Sequence, residues 1–162
     1  MTDAPNPVPA DQLPGHHPDV EQDKPAPTRL PPGTERRFAF AFDPVNLALG
    51  APFGVTPWTS EVRVTSSDLI IRYGPWTLRT PLANVAGTEE TGPYDLIKIA
   101  GPPRVSLADR GISFATRTEG GLCICLRTPV PAVLPLHLGL VKHPAATVTV
   151  EGAGELARLL AG

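Results

Sequence analysis

Cys123 and Cys125, followed by His137 and His143, spell C-x-C-x11-H-x5-H, the side-chain set of a two-cysteine, two-histidine zinc site. A zinc finger spaces its thiolates by about two to four residues, so that a turn brings both sulfurs to about 2.3 Å from the metal. LCICL instead puts both cysteines side by side on one face of a strand, and the two histidines would have to fold back from a loop. Buried or half-buried structural cysteines are the simpler reading, and no metal or other cofactor is expected. Nucleophilic catalysis needs a serine or cysteine within about 3 Å of a base that a third group orients. Ser106, Ser113, Cys123 and Cys125 all read as strand residues with no such base paired to them, and His16 and His17 lie near the N-terminus. There is no G-x-S-x-G elbow, no H-E-x-x-H and no glycine-rich phosphate loop. No catalytic residue is assigned, and an enzyme is not expected. Glu89 and Glu90 adjoin in a loop, with no sign of the divergent environments that acid and base work requires of paired carboxylates.

Binding chemistry is better represented. In TGPYDLIKIAGPPR, residues 91–104, Tyr94, Lys98 and Arg104 punctuate a loop stiffened by glycine and proline, and Arg110 in the nearby DRG turn can join the same surface. Binding residues collect on loops held by rigid scaffolds, and tyrosine with arginine anchors interfaces. The competing reading is that Gly92, Pro93, Gly101, Pro102 and Pro103 merely turn corners, with Tyr94 packed onto the domain. Arg63, Arg72 and Arg79 all point outward in the strand reading given below. They form either a ladder for an acidic partner or a solvated charged face.

The elements that must position these residues are short strands. RFAFAFD, residues 37–43, alternates Phe38, Phe40 and Phe42 against Ala39 and Ala41. Residues 43–57 read as a loop or cap, and Val45, Leu47, Leu49 and Phe53 are expected to pack onto the domain. EVRVT, the corner at Ser66, Ser67 and Asp68, LIIRYG, the Gly74-Pro75 turn and WTLRT make a three-stranded meander. Its inward sets are Val62 and Val64, Leu69 and Ile71, and Trp76 and Leu78. LANVAG returns to the sheet, residues 88–103 read as a loop with a short element near 96–99, and RVSLA, ISFAT, LCICLRT and ATVTV supply the remaining strands. GELARLL places Leu156, Leu159 and Leu160 at i, i+3 and i+4 of a short amphipathic helix.

Composition changes sharply near Gly33. Residues 1–33 hold nine of the 21 prolines and no aromatic residue. Such a segment cannot bury enough apolar surface to offset roughly 1–2 kcal/mol of backbone entropy per ordered residue, so disorder is the expectation for 1–34 and a single folded domain for 35–162. PNPVP and PAPTRLPP resemble polyproline II segments, which serve either as docking motifs or as spacers. Five acids in this segment stand against Lys24 and Arg29, a net of −3, which leaves +1 of the chain's total of −2 for the remainder. Neither part has the positive field that nucleic acid or an anionic membrane attracts. The opening MTDAPNPVPADQLPG lacks the cationic start and apolar core of a secretory signal. The apolar run at 129–141 is broken by three prolines and His137 and falls short of the ~20 residues a spanning helix needs. Two cysteines suit a reducing compartment, so a soluble, cytoplasmic protein is expected.

DLIIRYGPWTLRTPLANVAG, with its strand, tight turn, strand and L-x-x-V return, and TVTVEGAGELARLL, where the last strand runs straight into a helix, resemble the small bacterial pleckstrin-homology-like domains. GPPRVSLADRGISFAT and KHPAATVTV are similar to uncharacterised actinobacterial chains of that kind. The resemblance covers roughly residues 36–162. It implies a mainly β fold, a small barrel of about seven antiparallel strands plugged by the C-terminal helix, with a lipocalin-like closed barrel as the alternative. Inositol-phosphate-binding members resemble one another in a Lys/Arg cluster on the first hairpin, which has no counterpart here, so lipid binding does not carry over. The expected function is a non-enzymatic binding or scaffold module that holds a protein or peptide through Tyr94, Lys98, Arg104 and Arg110. A small-ligand carrier or minor enzyme with an apolar interior is the other reading.

Overall fold

A computed structural model describes residues 30–93, 101–105, 110–133 and 141–161. Among the described residues nine strands form one mixed sheet: β1 (Glu35–Ala39), β2 (Ser60–Thr65), β3 (Asp68–Tyr73), β4 (Trp76–Pro81), β5 (Val85–Thr91), β6 (Arg104–Val105), β7 (Ile112–Phe114), β8 (Gly121–Val133) and β9 (Lys142–Val148). The described residues also include two short helices, α1 (Pro44–Gly50) and α2 (Ala153–Leu160), and 3-10 turns at Ala51–Phe53 and Leu82–Asn84. The strand order is β1-β2-β3-β4-β8-β9-β7-β6, with β5 branching off β8.

β1 to β4 follow the alternation of their sequence. Val62, Val64, Leu69, Ile71 and Leu78 point to one side and are fully buried, while Arg63, Arg72 and Arg79 line the other side. Pairing is antiparallel throughout, with Val62 opposite Ile71 and Ile71 opposite Leu78. Gly74 makes the β3–β4 turn at φ +57°, and a Cβ there would lie 2.8 Å from the Gly54 carbonyl oxygen. Only glycine fits both the left-handed backbone and that approach.

The second half hangs on β8. Its first residues pair with β5 and β9, and its far end pairs with β4 through Ala132 and Val133. The β8–β9 register shifts between Cys125 and Val130. At that break Asn84 replaces ladder bonds: its Nδ2 donates to the Thr128 carbonyl at 2.8 Å and its Oδ1 accepts from the Thr128 amide at 2.8 Å. The two halves are stitched by the 39–43 stretch, where the Ala41 amide donates to the Thr149 carbonyl and the Thr116 hydroxyl donates to the Ala41 carbonyl at 2.6 Å. Tyr73 packs in the core between Phe40, edge to face, and Phe114, tilted, each with its ring centroid 5.4 Å from that of Tyr73. α2 closes one side over β5 and β8, burying Leu156 and Leu160.

The expected antiparallel barrel of about seven strands is corrected on two points. The sheet is open: among the described residues β1 and β6 end it without pairing to each other. β6 is two residues long and follows Pro102 and Pro103, which have no N–H to extend a ladder. The sheet is also mixed, because β7 runs parallel to β9. Two local expectations change as well. Glu89 and Glu90 lie on β5, opposite Cys123 and Leu122, so pairing overrides a polar sequence there. Residues 44–50 are helical, started by Pro44 in the first turn. The short element expected near 96–99 lies outside the described residues.

Candidate functional site

α1 runs into a 3-10 turn at Ala51–Phe53, so 44–53 is one nearly continuous helical run with an inner and an outer side. Asn46 and Gly50, four residues apart, face inward and are buried. Val45, Leu49 and Phe53, also four apart, face outward and are 50%, 45% and 49% exposed. The polarity is the reverse of a surface helix that packs its apolar stripe onto a core. The inner side is tight, since a Cβ on Gly50 would sit 3.2 Å from the Val55 carbonyl oxygen. Asn46 Nδ2 reaches Asp43 Oδ2 at 3.5 Å, and its buried Oδ1 has no hydrogen-bond partner. Asp43 in turn accepts from the Thr118 amide at 3.1 Å, which fixes the run to the second half of the sheet.

Trp58, five residues beyond Phe53, is 88% exposed. Its turn is rigid. The Thr59 hydroxyl donates to the Gly54 carbonyl at 2.6 Å, the Thr56 amide donates to Thr59 Oγ1 at 2.9 Å, and the Gly74 amide donates to the Thr59 carbonyl at 3.1 Å. An indole held in water by a braced turn, beside an outward apolar stripe, is the composition of a binding surface. The expectation that Val45, Leu47, Leu49 and Phe53 pack onto the domain is therefore corrected for Val45 and Leu49, whereas Leu47 is half-buried and the Phe53 ring edge lies beside Gly101. The i, i+4, i+8 spacing of Val45, Leu49 and Phe53 against Asn46 and Gly50 was the available signal. Pro44, Gly50 and Pro52 hid the helix that gives the spacing its meaning.

Of the residues expected to bind a partner, Tyr94 and Lys98 lie outside the described residues. Arg104 is exposed on β6 opposite Ser113. Arg110 precedes β7 at φ +60°, and its carbonyl lies 2.9 Å from Nδ1 of the buried His143. The Arg110 side chain lines a surface groove of about 530 Å³ with Thr128, Pro129, Val141, Lys142 and Pro144. Arg104 and Arg110 thus share one hairpin, and Arg110 is grouped with Lys142.

The outward arginines are neutralised within the sheet. Glu61 gathers Arg63 at 2.6 Å, Arg37 at 3.8 Å and Arg72 at 3.9 Å, and Arg79 meets Asp68 at 3.1 Å. Hydrogen bonds from Arg79 and Ser67 hold the Asp68 carboxyl below its ordinary range. This is an ion-paired face. Cys123 and Cys125 are half-buried and unbridged. Burial pushes the Cys123 thiol up, against a hydrogen bond with Thr147, and Cys125 and Glu89 add to the rise. Among the described residues no three His, Cys, Asp or Glu side chains converge on a possible metal position, and no helix is long and apolar enough to cross a membrane. No protein-family model, curated protein or solved structure matches the chain.

Proposed function

We propose that this protein is a non-enzymatic binding module that holds a protein or peptide partner on the apolar face of Val45, Leu49, Phe53 and Trp58. The observation that carries the reading is the reversed polarity of the 44–53 run, which buries Asn46 and Gly50 and leaves the larger apolar side chains in water. Folding alone gives no reason for that arrangement, whereas a partner that covers the stripe does. The meander, and a last strand β9 that leads into a closing helix, support a pleckstrin-homology-like module, and the open edge at β6 departs from a closed version of it. The test is co-purification from native lysate with wild-type protein, with a Leu49→Gln, Phe53→Gln, Trp58→Gln variant, and with Tyr94→Ala, Arg104→Ala. Loss of the partner with the first variant only is the expected result. Retention there, with loss in the second, returns the site to the 91–104 loop.

A small-ligand carrier is the second reading, favoured by the groove that Arg110 and Lys142 line together with Pro129, Val141 and Pro144. A lining of two cations with apolar side chains suits a small anionic amphiphile. Titration with decanoate, followed by the resonances of Arg110 and Lys142, separates the two readings, since saturable shifts there are expected only of the carrier.

A further inference from the structure

Cys123 and Cys125 are the chain's two cysteines, and β8 holds them at a fixed separation. Leu122, Ile124 and Leu126 turn to the core and are buried, so the two thiols share the opposite side of the strand, where both are half-buried. β8 is paired along both edges here: Cys123 stands opposite Glu89 of β5 and Thr147 of β9, and Cys125 opposite Gly87 and Ala145. The register shifts of both ladders fall beyond Cys125, so the stretch between the cysteines is regular extended strand. A Cβ on Gly87 would meet nothing within 4 Å, which leaves the approach to Cys125 open on the β5 side.

That separation selects among the things two thiols can do. Successive residues on one side of a strand lie about 6.6–6.8 Å apart, whereas a disulfide needs Cβ atoms about 3.5–4.5 Å apart. A strand bonded on both edges cannot contract to that distance, and the thiols are unbridged. Zinc takes four donors in a tetrahedron, and among the described residues no third His, Cys, Asp or Glu joins the pair. A soft d10 cation that accepts two thiolates in line asks for neither. With metal–sulfur bonds of about 2.3 Å, the value for zinc, its sulfurs stand about 4.6 Å apart. Each thiol reaches that by leaning about 1 Å toward the other, which side-chain rotation supplies with the backbone left in place. Thiolate donors also favour copper(I) over the harder divalent ions. Beyond burial, part of the rise in the Cys123 thiol comes from Cys125, so the two sulfurs already sense each other.

We infer that Cys123 and Cys125 form a two-coordinate site for one soft monovalent d10 cation, copper(I) being the type. On binding, two S–H bonds break, two sulfur–copper bonds form and two protons leave to solvent, with no change of oxidation state. The site stands on β8 and does not depend on the apolar face proposed above. The test titrates full-length, reduced protein with copper(I) under anaerobic conditions against the chelator bathocuproine disulfonate, alongside Cys123→Ser and Cys125→Ser. Wild type is expected to withdraw one copper ion per chain from the chelator with no change in its size-exclusion volume, and X-ray absorption of that complex is expected to show two sulfur neighbours. Each substitution is expected to abolish the withdrawal, with circular dichroism confirming that the variants are folded. Should a variant unfold, the sulfur count in the wild-type spectrum decides alone. The inference is overturned if wild type withdraws no copper, if the single variants keep it, if nitrogen or oxygen neighbours replace the two sulfurs, or if copper joins two chains into a dimer.

Discussion

Asn46 and Leu49 stand three residues apart on α1, yet Asn46 is 3% exposed and Leu49 45%. The helix has turned its amide inward and its leucine outward, which folding energetics alone disfavours. The same helix is held from below by Asp43 and Thr118, so the leucine's exposure is built into the fold.

Exposed apolar residues that serve a partner contribute little to folding. Val45→Gln with Leu49→Gln is expected to change unfolding free energy by no more than about 0.5 kcal/mol, whereas Leu156→Ala, which empties a fully buried position on α2, is expected to cost about 2–5 kcal/mol. Urea denaturation of the two variants checks the contrast.

Tyr73 is buried, and its hydroxyl donates to the Ala115 carbonyl at 2.9 Å. Tyr73→Phe is expected to lose about 1–2 kcal/mol by stranding that carbonyl. Burial pushes the phenol up, so the unfolded chain ionises first. The stability this supplies is whole below the ordinary phenol value near 10 and is lost as pH rises above it. Denaturation midpoints from pH 8 to 11 are expected to fall more steeply for wild type than for Tyr73→Phe.

Gly74→Ala is expected to cost about 1–3 kcal/mol, because the new Cβ meets both a left-handed φ and the Gly54 carbonyl. Thermal melting checks it. The same melt on Gly87→Ala, where a Cβ would find nothing within 4 Å, serves as the mild comparison.

Cys123 is expected to react slowly with iodoacetamide at neutral pH. Its raised thiol keeps the nucleophilic thiolate scarce. The alkylation rate, read by mass spectrometry from pH 7 to 10, is expected to climb later than that of free cysteine.

The sequence made the β2 to β4 meander and α2 legible because period-two and i, i+3, i+4 patterns report directly on a buried face, as at Val62, Val64, Ile71 and Leu156. β5 was hidden because Glu89 and Glu90 carry no strand signal of their own and are held by pairing with Cys123 and Leu122. The open, mixed sheet was hidden for a related reason: which strands pair with β8 is decided far along the chain. Of the candidate site, Arg110 was legible as a turn cation, while Trp58 was passed over, since its exposure depends on the Thr56, Thr59 and Gly74 hydrogen bonds rather than on its neighbours in sequence.

The central claim is that the face around Trp58 is the contact surface. Benzoylphenylalanine placed at position 58, and separately at position 79 on the ion-paired face, tests it most directly by irradiation in cells and peptide mapping. Strong, mappable crosslinks from 58 to a partner are expected, and only background from 79. Equal yields from both positions, or none from 58, would contradict it.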